Sequence, residues 1–455
     1  MGLLIGIGSS QPKYPYNMWY GVQGDKTSGD SNLTRVGNLD LHRTLPVQSR
    51  IRRFVENTDG SVKYYLHATD SRKKEGGAPA IIDSTDGNVM LEILDHYFRY
   101  EQEGTKWVRA WSLYPIPGFT HIPRQVISPW FATINLTTSK AVSGCFLTWD
   151  GNEIARDTNG FVKLTDNAAN FRGGSGAGDS GWDGTYHSML GMAHTNISKS
   201  SARNACENGT HIGAYRAFNS LAWLMACEYA NLNGQLDFNA SLTADGFHQG
   251  GIGAGPSVAS GEWNTWGGYR PFIPNGVTAT LGNQTGVVNY TIKGWTGGDK
   301  VVAVNSYRGF ELPFEYLWML ADDLLIHHAP DTETADGESI AYVCDDPTKF
   351  TSHSDSATTV PDGYEAIATL PRADGWTKQL SHHSKGYSFP ETLGGGANVG
   401  PGDYYYQPST TASGWYGGLL AGGAYFGTSA GWRCLLTHYR SSYSTAAVGF
   451  RLCRN

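Results

Sequence analysis

Trp415-Tyr-Gly-Gly-Leu-Leu-Ala-Gly-Gly-Ala-Tyr-Phe-Gly-Thr-Ser-Ala-Gly-Trp-Arg-Cys434 runs directly into Leu435-Leu-Thr-His-Tyr-Arg-Ser-Ser-Tyr-Ser-Thr-Ala-Ala-Val-Gly-Phe-Arg-Leu-Cys453. Chain ends are usually polar and dispensable; this one consists of glycines, rings and a final apolar run. Val448-Gly449-Phe450-Arg451-Leu452-Cys453 alternates as a strand with one buried face does. Before it, Gly-rich turns join short runs of Tyr, Ser, Thr and His. That composition suits a recognition surface, where Tyr offers large contact area at low entropic cost and Ser and Gly adapt around it. A Gly-rich β end with its rings in the core is the competing reading of the same residues.

The rest of the composition leans the same way. Of 455 residues 58 are Gly, 25 Tyr and 14 Trp, and only 16% are charged. Many rings and glycines with few charges predict a loop-rich, β-containing protein with wide contact surfaces. The length suggests about two or three domains. A net charge of −7 gives no electrostatic footprint for nucleic acid. Met1-Gly-Leu-Leu-Ile-Gly-Ile-Gly8 is too short and uncharged for a signal peptide, and no later stretch approaches a membrane span. Synthesis in a cytoplasm without export is therefore expected, with no membrane insertion. The 6 cysteines (Cys145, Cys206, Cys227, Cys344, Cys434, Cys453) lack zinc or CxxC spacing and read as buried thiols.

Up to Pro115-Ile-Pro-Gly118 the chain shows short β-type runs, Met18–Val22, Arg50–Val55, Val62–Leu66, Val89–Tyr100 and Lys106–Trp111, punctuated by Asp59-Gly60 and Asp86-Gly87. Such a hairpin-rich unit docks onto a partner or builds an oligomer base. Arg172-Gly-Gly-Ser-Gly-Ala-Gly178 lacks the lysine and the strand–helix setting of a phosphate loop. Two helices follow. Ser198 caps Lys199–Glu207, and Asn219 or Ser220 caps Leu221–Asn231, where Leu221, Leu224, Met225 and Glu228 form a stripe ended by Asn233-Gly234. From His248 onwards only short strands and loops are expected. The doublets Asp322-Asp323, His327-His328, Asp345-Asp346 and His382-His383 contain metal-binding and proton-transfer groups. Neighbours on a strand point to opposite faces, however, so no doublet makes a site by itself. A structural calcium is the alternative use of the Asp pairs. Nothing here demands a catalytic residue, a metal or a cofactor.

The later two-thirds resembles the C-type-lectin fold as used by formylglycine-generating-enzyme-like domains and by variable proteins of diversity-generating retroelements. The resemblance rests on Ser198–Glu207 followed by Tyr215-Arg-Ala-Phe-Asn-Ser-Leu-Ala-Trp223, and on Phe314-Glu-Tyr-Leu-Trp-Met-Leu-Ala-Asp322 as the core strand. There Trp318 and Asp322 fall on the family pattern and Glu315 replaces its glycine. Gly422-Gly423 matches the turn before the variable region, and Gly449-Phe-Arg-Leu-Cys453 the closing strand. From Trp19-Tyr-Gly-Val22 and Leu41–Arg50 to the end, the chain is similar to retroelement targets in phages and prophages of gut Bacteroidales, whose role is like that of a phage tropism determinant.

The resemblance implies an α+β chain: residues 1–117 as an N-terminal β-rich docking or oligomerisation domain, and 118–455 as a C-type-lectin-like domain with two helices, long irregular loops and a ligand-binding variable region at 416–453. It implies a virion protein of the tail tip or tail fibre that binds a bacterial surface receptor. Other tail proteins would dock through the N-terminal domain, and a homotrimer is expected. In this family variable codons carry adenines whose mutation excludes Trp, Met, Lys, Glu and Gln. Between Tyr416 and Cys453 only Trp432 breaks that exclusion. By position, the residues carried over as ligand-facing are Tyr425, Phe426, Thr428, His438, Tyr439, Arg440, Tyr443, Thr445 and Ala447, with Tyr416, Trp432 and Ser444 added at the margin. Gly422, Gly423, Val448 and Leu452 are scaffold. A formylglycine-generating-type enzyme and a non-diversified virion protein or adhesin are the alternatives. The enzyme needs a close cysteine pair, which Cys434 and Cys453 do not resemble, and the sugar-and-calcium motifs of animal lectins are absent.

Overall fold

The computed structural model describes residues 16–135, 138–145, 171–172, 191–213, 215–265, 272–292, 299–329, 338–409 and 411–454. Strands far outweigh helices, so the class is α+β and β-rich. The glycine run after Arg172 and the first residues of the chain lie outside the described residues.

The largest sheet is built around Trp318–His328. Its order is Tyr364–Leu370, Ser339–Cys344, Trp318–His328, Gly414–Leu420, Leu435–Tyr439, Tyr404–Tyr406, Gly375–His382, Ser388–Leu393, and Val448–Gly449 pairs with Trp318–His328 in parallel. Trp318–His328 is buried almost throughout, as an apolar central strand covered on both faces must be. A bulge between Leu320 and Leu325 lifts its middle out of the ladder. This changes the fate of the Asp doublet. Asp322 accepts from Arg203 Nε at 2.7 Å, whereas Asp323 Oδ1 accepts from Tyr215 N at 2.6 Å and Oδ2 from Arg216 N at 3.0 Å. Both carboxylates anchor helices.

Those helices are Lys199–Ala205 and Tyr215–Tyr229. Ser198 caps the first as expected, accepting from Ser201 N. The second begins well before Asn219, because its cap is Asp323 from another element. It ends at Ala230, whose φ of 50° allows Asn231 N to donate to Ala226 O. The stripe expected on it is absent as a stripe, since every residue but Arg216 and Ser220 is buried. A helix buried all round sits inside a core. Leu39–Thr44 and Ser260–Thr265 are additional short helices that the pattern did not announce.

A smaller sheet orders Thr34–Gly37, Tyr20–Asp25, Lys106–Ser112, His96–Glu103 and Thr120–Ile122. Another orders His211–Ile212, Leu452–Arg454, Gln125–Ile127, Val89–Ile93, Arg52–Glu56, Val62–His67 and Asp70–Lys74. The single run expected over Val89–Tyr100 therefore divides between two sheets, Val89–Ile93 in one and His96–Glu103 in the other. The end of the chain is stitched between Gln125–Ile127 and His211–Ile212, and one hydrophobic core extends from Tyr20 to Cys453. The division expected between residues 117 and 118 thus crosses a continuous hydrogen-bonded sheet and a shared core.

Candidate binding face

The frame of the closing stretch is set by close packing. Gly422 has φ +76°, and a Cβ there would lie 2.7 Å from that of Ala430. Gly423 bridges Tyr316, and Ala424 N donates to Tyr316 O at 2.9 Å. At Gly431 a Cβ would meet Asp403 Oδ1 at 1.7 Å, while Asp403 Oδ2 accepts from Arg433 N at 2.8 Å. Burial pushes Asp403 up to about 7, against the pull of Arg433. Trp432 is fully packed between Phe218 at 5.2 Å, Phe314 at 5.9 Å, and Tyr307 and Phe310 at 6.0 Å. Val448 to Cys453 is buried on both faces, not one, and Arg451 lies inside it.

On this frame stands a continuous group of half-exposed rings. Trp376 meets Tyr404 at 5.5 Å, Tyr404 meets Tyr406 at 4.5 Å, Tyr406 meets Phe426 at 5.3 Å, and Phe426 meets Tyr425 at 4.7 Å. Buried Trp318 supports Phe426 edge-on at 5.1 Å. A second group joins His438 to Tyr439 at 4.5 Å, and Tyr439 stacks on Tyr443 at 3.7 Å with 3° between the planes. His438 Nδ1 lies 3.2 Å from Tyr406 O, which ties the two groups together. Thr428 is exposed, and Ser444 and Thr445 are half-buried just after the second group.

The expected residues therefore separate. Tyr425, Phe426, Thr428, His438, Tyr439, Tyr443, Ser444 and Thr445 reach solvent. Tyr416, Trp432 and Ala447, expected to face a ligand, are instead core: they are 4%, 2% and 5% exposed. Tyr416 donates to Ala412 O and packs on His328, and Ala447 O accepts from Trp318 N. Arg440 is half-buried but turned into the frame, donating to Trp415 O at 2.8 Å with its guanidinium 3.9 Å from the Tyr416 ring. Trp376, Tyr404 and Tyr406 belong to the ring group and were not anticipated. Their signal was the Tyr404-Tyr405-Tyr406 triplet, whose outer members share a face while Tyr405 is buried.

Burial raises the phenols of Tyr404, Tyr406 and Tyr443, so they act as neutral hydrogen-bonding rings. The face thus offers apolar area with hydroxyl tips. All six cysteines are free thiols; Cys434 and Cys453 are buried, and burial drives the Cys434 thiol well up, away from the reactive thiolate form. Among the described residues no cluster of three or more His, Cys, Asp or Glu is placed to hold a metal ion. None of their helices is long and apolar enough to cross a membrane. No protein-family model and no curated protein matches the chain.

Proposed function

We propose that the chain is a phage receptor-binding protein of the tail tip or tail fibre, attaching the virion to its bacterial host through a diversified face on a C-type-lectin-like fold. The observation that carries this reading is the ring group Trp376, Tyr404, Tyr406, Phe426 and Tyr425, joined to His438, Tyr439 and Tyr443 and standing half-exposed on a fully buried frame. The position where the family pattern has glycine adds support: Glu315 has φ +61°, the backbone that glycine adopts without strain. The mechanism is binding without catalysis or cofactor. A few partly desolvated rings supply most of the affinity, and repetition of the site on a trimeric tail multiplies it.

The test is host adsorption by phage carrying Tyr439→Ala with Tyr443→Ala. Adsorption is lost while the melting temperature falls by only a few degrees, because the pair stands at the edge of the core. Undiminished adsorption, or a collapse in stability, overturns the reading. Diversification is tested separately in the neighbouring DNA, where a reverse-transcriptase gene and a near-copy of codons 416–453 differing at adenines are expected.

A further inference from the structure

Away from the ring face, a second recess lies where the helix Tyr215–Tyr229 meets the strands Lys106–Ser112 and Gln125–Ile127 and the turn at Lys385–Tyr387. It encloses about 350 Å³ including its open mouth, of which about 20 Å³ is open to the centre of a water-sized sphere. Phe98, Trp111 and Trp223 are its apolar walls; Arg109, Gln125 and Arg216 are the polar groups that matter.

These polar groups are poorly answered by the protein. Arg109 is 1% exposed, and it makes no ion pair with any described carboxylate. Its Nη1 lies 3.0 Å from His382 Nδ1 and its Nη2 donates to Gly386 O, with the guanidinium 4.0 Å from the Trp223 ring and 4.6 Å from Phe98. Its Nε has no partner among the described residues. Gln125 is 6% exposed, and neither atom of its amide is hydrogen-bonded among those residues. Arg216 Nε is likewise unanswered, although its Nη1 meets Asp345 at 3.1 Å. A buried amide lacking both partners is expensive, and a buried guanidinium without a counter-charge more so.

The charges narrow the class of ligand. At the mouth, Arg216 and Lys385 are matched by Asp345 and Glu365. His96, in the wall, is held neutral at ordinary pH because burial lowers it to about 4. One uncompensated positive charge remains, on Arg109, with N–H donors from Arg109, Gln125 and Arg216 and one acceptor from Gln125. We propose that this recess binds a small monoanionic carboxylate, with Arg109 as its counter-charge and Gln125 and Arg216 as its hydrogen-bonding partners. The space for a water-sized centre is only about 20 Å³, so the recess suits a small group. A phosphate dianion would leave a net negative charge buried. This site shares no residue with the ring face and does not depend on its reading.

The test uses the full chain and formate as the probe, observed by saturation-transfer NMR, with formamide as the neutral control. Formate receives saturation from the wild type and formamide does not. In Gln125→Leu, which keeps the side-chain volume and removes an unsatisfied amide, the protein stays folded and formate binding weakens about tenfold or more, the loss expected for one hydrogen bond to a charged group. Arg216→Gln at the half-buried mouth weakens it similarly and provides the readout if the core variant does not fold. Equal transfer to formamide, undiminished formate binding in a folded variant, or displacement of formate by an equal concentration of chloride would each overturn the proposal.

Discussion

Residues Val448–Cys453 and His438–Thr445 are near neighbours with similar chemistry, each holding one arginine, at least one aromatic ring and small residues. Their fates are opposite. Arg451 is enclosed between Phe131 and Phe310, each ring 4.2 Å away, and donates to the carbonyls of Ser128, Pro129, Glu311 and Leu312. Arg440 is only half-buried, leaning across Tyr416 while donating to Trp415 O, and the rings of Tyr439 and Tyr443 stack on each other instead of entering the core. The difference lies in how many elements surround each segment. Leu452–Arg454 is clasped between two strands and Val448–Gly449 pairs with the central one. Leu435 and Leu436 pair on both sides, but by Tyr439 only Gly417 remains opposite. Residue type does not separate frame from face; ladder partners do.

The comparison breaks hardest at Trp432, which the pattern of ring types would place on the face and the packing places in the frame. Trp432→Ala is expected to lose roughly 3–5 kcal/mol, the usual result of emptying an aromatic site in a core. Urea unfolding measures it. A loss below about 1 kcal/mol would mean the indole is peripheral and would erase the boundary between the two regions.

Next in size is a pH effect at the strained Glu315 beneath the face. Burial raises its carboxyl to about 7, partly offset by the hydrogen bond from Gly255 N at 2.7 Å. The folded protein therefore holds this proton at a pH where the unfolded chain has released it. Stability from this group is present below the unfolded chain's carboxylate range and is lost as pH rises through about 7. Glu315→Gln does not titrate. Relative to the wild type it should gain about 3 kcal/mol between roughly pH 4 and pH 8. Thermal unfolding of both proteins across that range checks the sign, and a constant difference would mean the carboxyl is not held protonated. Asp323 and Asp403, both raised to about 7 by burial, act in the same direction in both proteins and cancel in the difference.

How far the sequence foretold this arrangement depends on the range of the forces involved. Ser198 capping Lys199–Ala205 was legible because cap and helix are adjacent. The start of Tyr215–Tyr229 was not, because its capping carboxylate, Asp323, lies 108 residues away. The turn at Gly422 came from the family resemblance, and the structure gives it a local cause in the φ of +76°. The sorting of Tyr416 into the core and Tyr439 onto the face could not be read, since Tyr416 is enclosed by His328 and Arg440 from other turns of the chain. Likewise simple strand alternation put Asp322 and Asp323 on opposite faces, and only the bulge after Leu320 shows why both acids meet helices. The shared sheet across residues 117 and 118 needed the pairing of Leu452–Arg454, which no local pattern contains.

The smallest expected effect is at Thr428, the exposed tip of the loop that Gly422 and Gly431 fix from below. Thr428→Tyr adds a ring where no packing restrains it, so stability should change by less than about 0.5 kcal/mol. If the frame and face are separable, this substitution and Trp432→Ala form the two ends of one scale, although both enlarge or remove an aromatic group on the same loop. The loop backbone holds its shape through Ala424 N to Tyr316 O and Ala421 N to Cys434 O, neither of which involves the side chain at 428. A Tyr there would extend the patch of Tyr425 and Phe426, and under the proposed function it would alter which partner the patch holds. Unfolding measurements on the variant decide the point: a loss above about 1 kcal/mol would show that the tip is packed and that face and frame are not separable there.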